Sequence, residues 1–133
     1  MQDYLKPHLK NELKEISIPA LAHIGDAVFE LMVRTYLCVA GTWTAPKLHK
    51  KSIDFVSAKS QAKAAEELVQ NLSEDELEIF KRGRNSHTGQ TPKNTTHSEY
   101  HTATAIEALF GYLYLSGNPE RLNELFEVII RKD

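Results

Sequence analysis

Two acidic residues of this chain stand where acids are costly. Asp26 lies in LAHIGDAVFELMV (residues 21–33), with Glu30 one turn further on, and Glu107 is the only charge in ATAIEALFGYLYL (residues 103–115). A carboxylate on a core-facing helix is destabilising unless a cation neutralises it or a metal binds it. Two such helices packed together can share one divalent ion between Asp26 and Glu107. Hard cations such as Mg2+ take oxygen ligands while keeping several waters. Bound Mg2+ can activate water and stabilise the charge that develops on a phosphodiester. The alternative is a buried carboxylate neutralised by Arg34 or a lysine, and the residues alone leave that open. Glu30 reads as a supporting or salt-bridging group before it reads as a third ligand.

A second set of residues is suited to phosphate. The stretch RGRNSHTGQTPKNTTH (residues 82–97) reads as a loop carrying Arg82, Arg84 and Lys93 with no acid among them. Asn85, Ser86, Thr88, Asn94, Thr95 and Thr96 add hydrogen-bonding groups of the kind that contact phosphate and ribose. A merely solvated loop has the same composition, but long loops without a function are uncommon inside compact domains. Lys59 and Lys63 lie four apart, on one face of a helix, where they can follow a phosphate backbone or simply face water. His23 next to Asp26 can orient a water or be a hydrogen-bonded core histidine. His87, His97 and His101 have no cysteine near them and make a poor zinc set. Cys38, the single cysteine, forms no intrachain disulfide and reads as a small core residue.

The elements that must hold these residues are all helical. A short polar helix is expected over residues 4–16. Apolar residues at helical spacing (Leu21, Ile24, Val28, Leu31 and Ala20, Ala27, Met32) predict a largely buried helix over residues 18–39, ended by Gly41. Gly25 inside it costs about 1 kcal/mol relative to Ala, which points to close approach of another helix or chain. Thr44 and Pro46 start the next helical stretch, residues 46–71, with a break expected near residues 53–57. Ser73 and Glu76 form a capping box opening a helix over residues 74–81 or a little beyond. A long helix is expected over residues 98–115, closed by Gly117, and Asn118-Pro119 opens the last one, to about residue 131. Trp43 and Tyr36 read as packing residues. No strand-like alternation and no internal repeat is present, so the fold class is all-α.

At 133 residues the chain is expected to form one domain with a real core. Its apolar fraction of 41% and charged fraction of 26% are those of an ordinary globular protein. A formal net charge of −2 argues for no particular partner, so any nucleic-acid surface must be assembled locally. The N-terminus is too polar for a signal peptide, and no stretch approaches the roughly 20 apolar residues of a membrane span. A soluble cytoplasmic protein without membrane contact is expected.

At the acidic residues the chain becomes recognisable. IGDAVFEL (residues 24–31) resembles the signature helix of the ribonuclease III family, and TAIEALFGYLYL (residues 104–115) resembles its second acidic helix. LHKKSIDFVSAKSQAK (residues 48–63) and RGRNSHTGQTPKNT (residues 82–95) extend the resemblance toward the Mini-ribonuclease III branch, whose members lack a double-stranded-RNA-binding domain. The four blocks in order cover about residues 19–115. The resemblance implies an all-helical endonuclease fold spanning residues 1–133, acting as a homodimer. It implies Mg2+, with Mn2+ as a substitute, held by Asp26 and Glu107 as metal-binding and catalytic acids, with Glu30 supporting. The RNA contacts expected from the residue types are Arg82, Arg84, Asn85, Lys93, Asn94, Lys59 and Lys63. The implied substrate is double-stranded RNA, with large-subunit (23S) ribosomal RNA precursor as the physiological class. An accessory ribosomal protein is left open as a further partner. Full-length ribonuclease III has acids where this chain has Ala22 and Thr104, which leaves fewer carboxylates for a second metal. No dsRNA-binding domain is expected after the last helix. The rival readings are a non-catalytic dsRNA-binding or ribosome-assembly module with the same fold, and a helical dimer that binds protein.

Overall fold

A computed structural model describes residues 1–41, 44–86 and 93–130. Among the described residues six α-helices follow one short 3-10 turn: α1 (Ile18–Ala40), α2 (Ala45–Val56), α3 (Ala58–Gln70), α4 (Glu74–Arg84), α5 (His97–Leu115) and α6 (Pro119–Ile130). Among the described residues there is no strand, as the sequence pattern requires.

Helix α5 is the hub, packed against α1, α3, α4 and α6. Its apolar residues run all the way round, from Ala105 and Ile106 to Leu109, Phe110 and Leu113, and all are buried. A helix of that kind belongs in the middle of a bundle. Phe29 of α1 meets Phe110 edge-on at 5.3 Å and Phe126 of α6 at 5.9 Å. Each such ring contributes about 1.5–3 kcal/mol through burial, so this cluster joins α1, α5 and α6.

The helix ends follow their local chemistry. Ser17 caps α1 by accepting from Ala20 N at 3.2 Å, with Pro19 in the first turn. The break expected near residues 53–57 falls at Ser57, whose ψ of 147° ends α2 while its hydroxyl caps α3. The Ser73–Glu76 capping box is present. A second box, Thr96 with Glu99, starts α5 one residue earlier than expected. Gly117 at φ +78° closes α5, because the left-handed region favours glycine. Gly41 ends α1 differently, in extended backbone at φ −167°.

Three expectations fail here. The helix over residues 4–16 is reduced to the 3-10 turn Asn11–Glu15, which buries none of its residues. Only Leu13 and Ile16 pack, in part, against the core, which is too little to offset the cost of nucleating a helix. The N-terminal segment instead runs along the end of α5, with Pro7 buried and Leu9 N donating to Leu115 O at 2.8 Å. Cys38 is exposed, because Leu37 takes the core position and the next residue is turned about 100° away. The loop expected over residues 82–97 begins later, since Arg82 and Arg84 belong to α4. Gly83 does not break that helix; it lies so close to α5 that an added Cβ would come within 2.8 Å of Ala105 Cα. Lys81, Arg82 and Arg84 occupy the last turn, where positive charge suits the helix dipole. Trp43, His87, Thr88 and residue 131 lie outside the described residues.

Candidate active site

The geometry of the site comes from two glycines. A Cβ on Gly25 of α1 would stand 1.6 Å from the carbonyl oxygen of Glu107, and one on Gly111 of α5 would stand 2.0 Å from that of Leu21. Each helix therefore presents bare backbone to the other where they cross. Close approach of α1 was expected from Gly25; Gly111, its counterpart, was not singled out. Its signal was available, as a glycine one turn beyond Glu107 inside an otherwise unbroken helix.

This crossing brings Asp26 and Glu107 together. Their carboxyl groups are in hydrogen-bonding contact. Burial, with the Asp26 carboxyl beside it adding to the effect, pushes the Glu107 carboxyl up to about 8. Among the described residues no basic side chain pairs with either acid. The two are not equally buried: Glu107 is half-buried, whereas Asp26 is exposed. The sequence expectation of two buried acids thus holds for one only, because Asp26 sits at the edge of the α1 face that Gly25 and Val28 bury.

Arg34, the alternative neutraliser, is engaged elsewhere: it forms an ion pair with Glu30 one turn away on α1. Glu30 is accordingly a salt-bridge member. Thr104, where a further acid would stand in full-length ribonuclease III, is buried and donates its hydroxyl to Tyr100 O at 3.0 Å. His23 is exposed and is not a core histidine.

The arrangement suits a hard divalent cation. Two carboxyl groups are forced together, and the proton retained at Glu107 marks the charge that a cation would compensate. Among the described residues no group of three or more His, Cys, Asp or Glu side chains is assembled. A cation held there would have two carboxylates plus water or phosphate oxygens as donors, which is how Mg2+ is commonly held.

The basic residues are placed less tightly. Arg84 is exposed, with its guanidinium 5.9 Å from the Phe80 ring centre. Arg82 is exposed in the same turn, and Asn85 forms the C-cap of α4. Lys93 and Asn94 lie exposed just before α5, Asn94 with φ +64°. Lys59 and Lys63 are exposed on α3.

A model of the family described as Ribonuclease III domain matches residues 19–118, a span that includes both acids. The chain belongs to the ribonuclease III family. Ribonuclease III relatives in the Mini branch share most of its length. It is 42% identical over 122 residues to Mini-ribonuclease 3 of Clostridium tetani, covering 91% of this chain and 81% of that protein. It is 41% identical over 122 residues to Mini-ribonuclease 3 of Staphylococcus aureus, covering 90% and 91%. The crystal structure of a Fusobacterium nucleatum protein superposes with a TM-score of 0.82 at 31% identity, over 92% of this chain and 98% of that one. The ribonuclease III family is one of endoribonucleases, and this chain carries that enzyme's all-helical fold.

Proposed function

We propose that this chain is a divalent-metal-dependent endonuclease of double-stranded RNA in which Asp26 and Glu107 are the metal-holding acids. The observation that carries the reading is the contact of these two carboxyl groups across the α1–α5 crossing. Mg2+, or Mn2+ in its place, would supply Lewis-acid activation of water and stabilisation of the phosphodiester charge. Asp26, exposed at the rim, presents its oxygens to an incoming backbone. Glu107, half-buried on the hub helix, fixes the inner edge of the site and must release its proton to serve. The Glu30–Arg34 pair flanks Asp26 on its own helix and holds an adjacent acid neutralised.

Recognition falls to exposed side chains: Arg82, Arg84, Asn85, Lys93 and Asn94 around the α4–α5 connection, and Lys59 and Lys63 on α3. Phosphate and 2′-hydroxyl contacts from such residues select an A-form duplex by shape. Large-subunit ribosomal RNA precursor in the cytoplasm is the proposed physiological substrate. Among the described residues no helix is long and apolar enough to cross a membrane.

The protein is proposed to act as a homodimer. On α1, Leu31 is 61% and Val39 83% exposed, beside a groove of about 550 Å3 that Met32, Tyr36, Phe126 and Ile130 help to line. Apolar surface of this kind is suited to burial against a second copy. Sedimentation of wild type and of Leu31→Glu tests this, with a shift of the variant to monomer expected.

The deciding experiment is cleavage of a labelled RNA duplex and of its single strand, with Mg2+ or EDTA, by wild type and Asp26→Asn. Duplex-only cutting that needs Mg2+ and vanishes in a folded Asp26→Asn protein is expected. Duplex binding without cutting would identify a non-catalytic module instead.

A further inference from the structure

Away from the acid pair, a cavity of about 250 Å3 opens between α1 and α2, lined by Arg34, Cys38, Ala45, Leu48, His49 and Ser52. Its surface is largely apolar, and the polar groups set into it are mainly donors. Arg34 carries guanidinium donors and no acceptor, His49 a ring N–H, Cys38 a thiol and Ser52 a hydroxyl, and no carboxylate contributes. The Glu30 ion pair uses one edge of Arg34, at Nη2, and leaves further donors of the fork.

Ser52 is the decisive member. It is only 4% exposed, yet its hydroxyl has no hydrogen-bond partner among the described residues. A serine inside a helix ordinarily bonds the carbonyl one turn back or faces water. A buried hydroxyl without either is destabilising, and Ser52 is part of the wall of this cavity. The first turn of α2 adds to the same preference: Ala45, its first residue, is part of the lining, and helix N-termini favour anions. Helix α2 also carries Lys47, Lys50 and Lys51 against the single acid Asp54, so the local field is positive although the chain is net acidic.

Size narrows the ligand. Pockets for drug-sized molecules run to about 300–1,000 Å3, and this one is smaller. Arginine, hydroxyl and imidazole donors around so small a volume suit a tetrahedral oxyanion.

We propose that the cavity between α1 and α2, with Arg34, His49 and Ser52 as donors, binds a phosphate-class oxyanion. The ligand is either a free phosphate or phosphomonoester, or one phosphodiester of a bound RNA. The site is distinct from the acid pair: Arg34 lies eight residues beyond Asp26, about 12 Å along α1.

Cys38, the only cysteine, is a built-in reporter on the cavity wall. The test is its alkylation rate with iodoacetamide, read by intact mass, for the whole chain in EDTA. Inorganic phosphate should slow the reaction saturably, about tenfold at roughly nine times its Kd, whereas chloride at matched ionic strength should not. Ser52→Ala and Arg34→Gln should abolish this protection while keeping the wild-type circular dichroism. A short RNA duplex forms the second arm. Protection by duplex and phosphate alike assigns the site to the RNA backbone; protection by phosphate alone assigns it to a free ligand. No phosphate-specific protection in either arm, or full protection retained in Ser52→Ala, overturns the proposal. Loss of RNA cleavage in Asp26→Asn tests the nuclease reading separately and leaves this outcome untouched.

Discussion

The α1–α5 crossing and the surface around the α4–α5 connection are held by different forces. At the crossing, Gly25 and Gly111 lie against backbone, and the positions of Asp26 and Glu107 follow from core packing. At Arg82, Arg84 and Lys93 the basic side chains are exposed, and although Gly83 packs the end of α4 against α5, no basic side chain is itself held by the core. The acid pair is thus positioned by the packed crossing, whereas the proposed RNA contacts are independent of one another. A change at the first region should alter stability and chemistry together; a change at the second should alter binding alone.

The severest challenge to that division is Gly25→Ala. The added methyl would meet the Glu107 carbonyl at 1.6 Å, and backbone cannot swing aside as a flexible side chain can. A loss of about 3 kcal/mol or more is expected in urea unfolding. A variant with wild-type stability would show that the helices do not cross as described.

Glu107→Gln sharpens the comparison from the other side. Burial and the neighbouring Asp26 hold the Glu107 carboxyl at about 8. The folded, metal-free chain then binds this proton more tightly than the unfolded chain does. Its contribution is fully present below the ordinary value of 4.5 and is lost as pH rises through about 8. In EDTA, wild type should lose stability over that window, and Glu107→Gln should lose less and be about 1–3 kcal/mol more stable at its upper end. Unfolding midpoints against pH decide the matter, and parallel curves for the two proteins would refute the carboxyl contact.

A smaller effect is expected at the other structural ion pair. Arg121 of α6 donates to both oxygens of Glu76 at 2.8 Å and to Asn71 O at 2.5 Å, tying α6 to the start of α4. The Arg121 guanidinium holds the Glu76 carboxyl below its usual value, so this stabilisation is present above about 4.5 and lost as pH falls through the depressed value. Arg121→Ala should cost about 1–3 kcal/mol at neutral pH and make acid unfolding less steep. Cleavage of duplex RNA per folded molecule should not change.

The smallest effects belong to the exposed basic residues. Alanine at Lys59, Lys63, Lys93, Arg82 or Arg84 should leave unfolding midpoints within about 0.5 kcal/mol. Each phosphate contact removed should lower the slope of log affinity against log salt by about one. A basic-residue variant that lost stability instead would join the two regions that the structure separates.

Much of this was legible in the residues because the signals were local. The capping box at Ser73, the break at Ser57 and the turn at Gly117 each depend on a few neighbouring side chains, and each stands where the sequence puts it. The acid pair was legible because a lone charge in a thirteen-residue apolar helix has few explanations. What escaped was tertiary. Whether Gly83 breaks a helix or packs it depends on Ala105, and whether Cys38 faces the core depends on which side of α1 the bundle covers. The hydroxyl of Ser52 could not be distinguished from a surface serine until α1 closed over it.

One feature of the α4–α5 connection bears on engineering. Helix α4 ends on its own hydrogen bonds, with Asn85 N donating to Lys81 O, and α5 begins on the self-contained Thr96–Glu99 box. Closing a flexible connection costs only about 0.6 kcal/mol more for each doubling of its length. Lengthening the chain between Asn85 and Thr96 therefore leaves both caps their own partners, and with them the α1–α5 crossing that carries the acid pair.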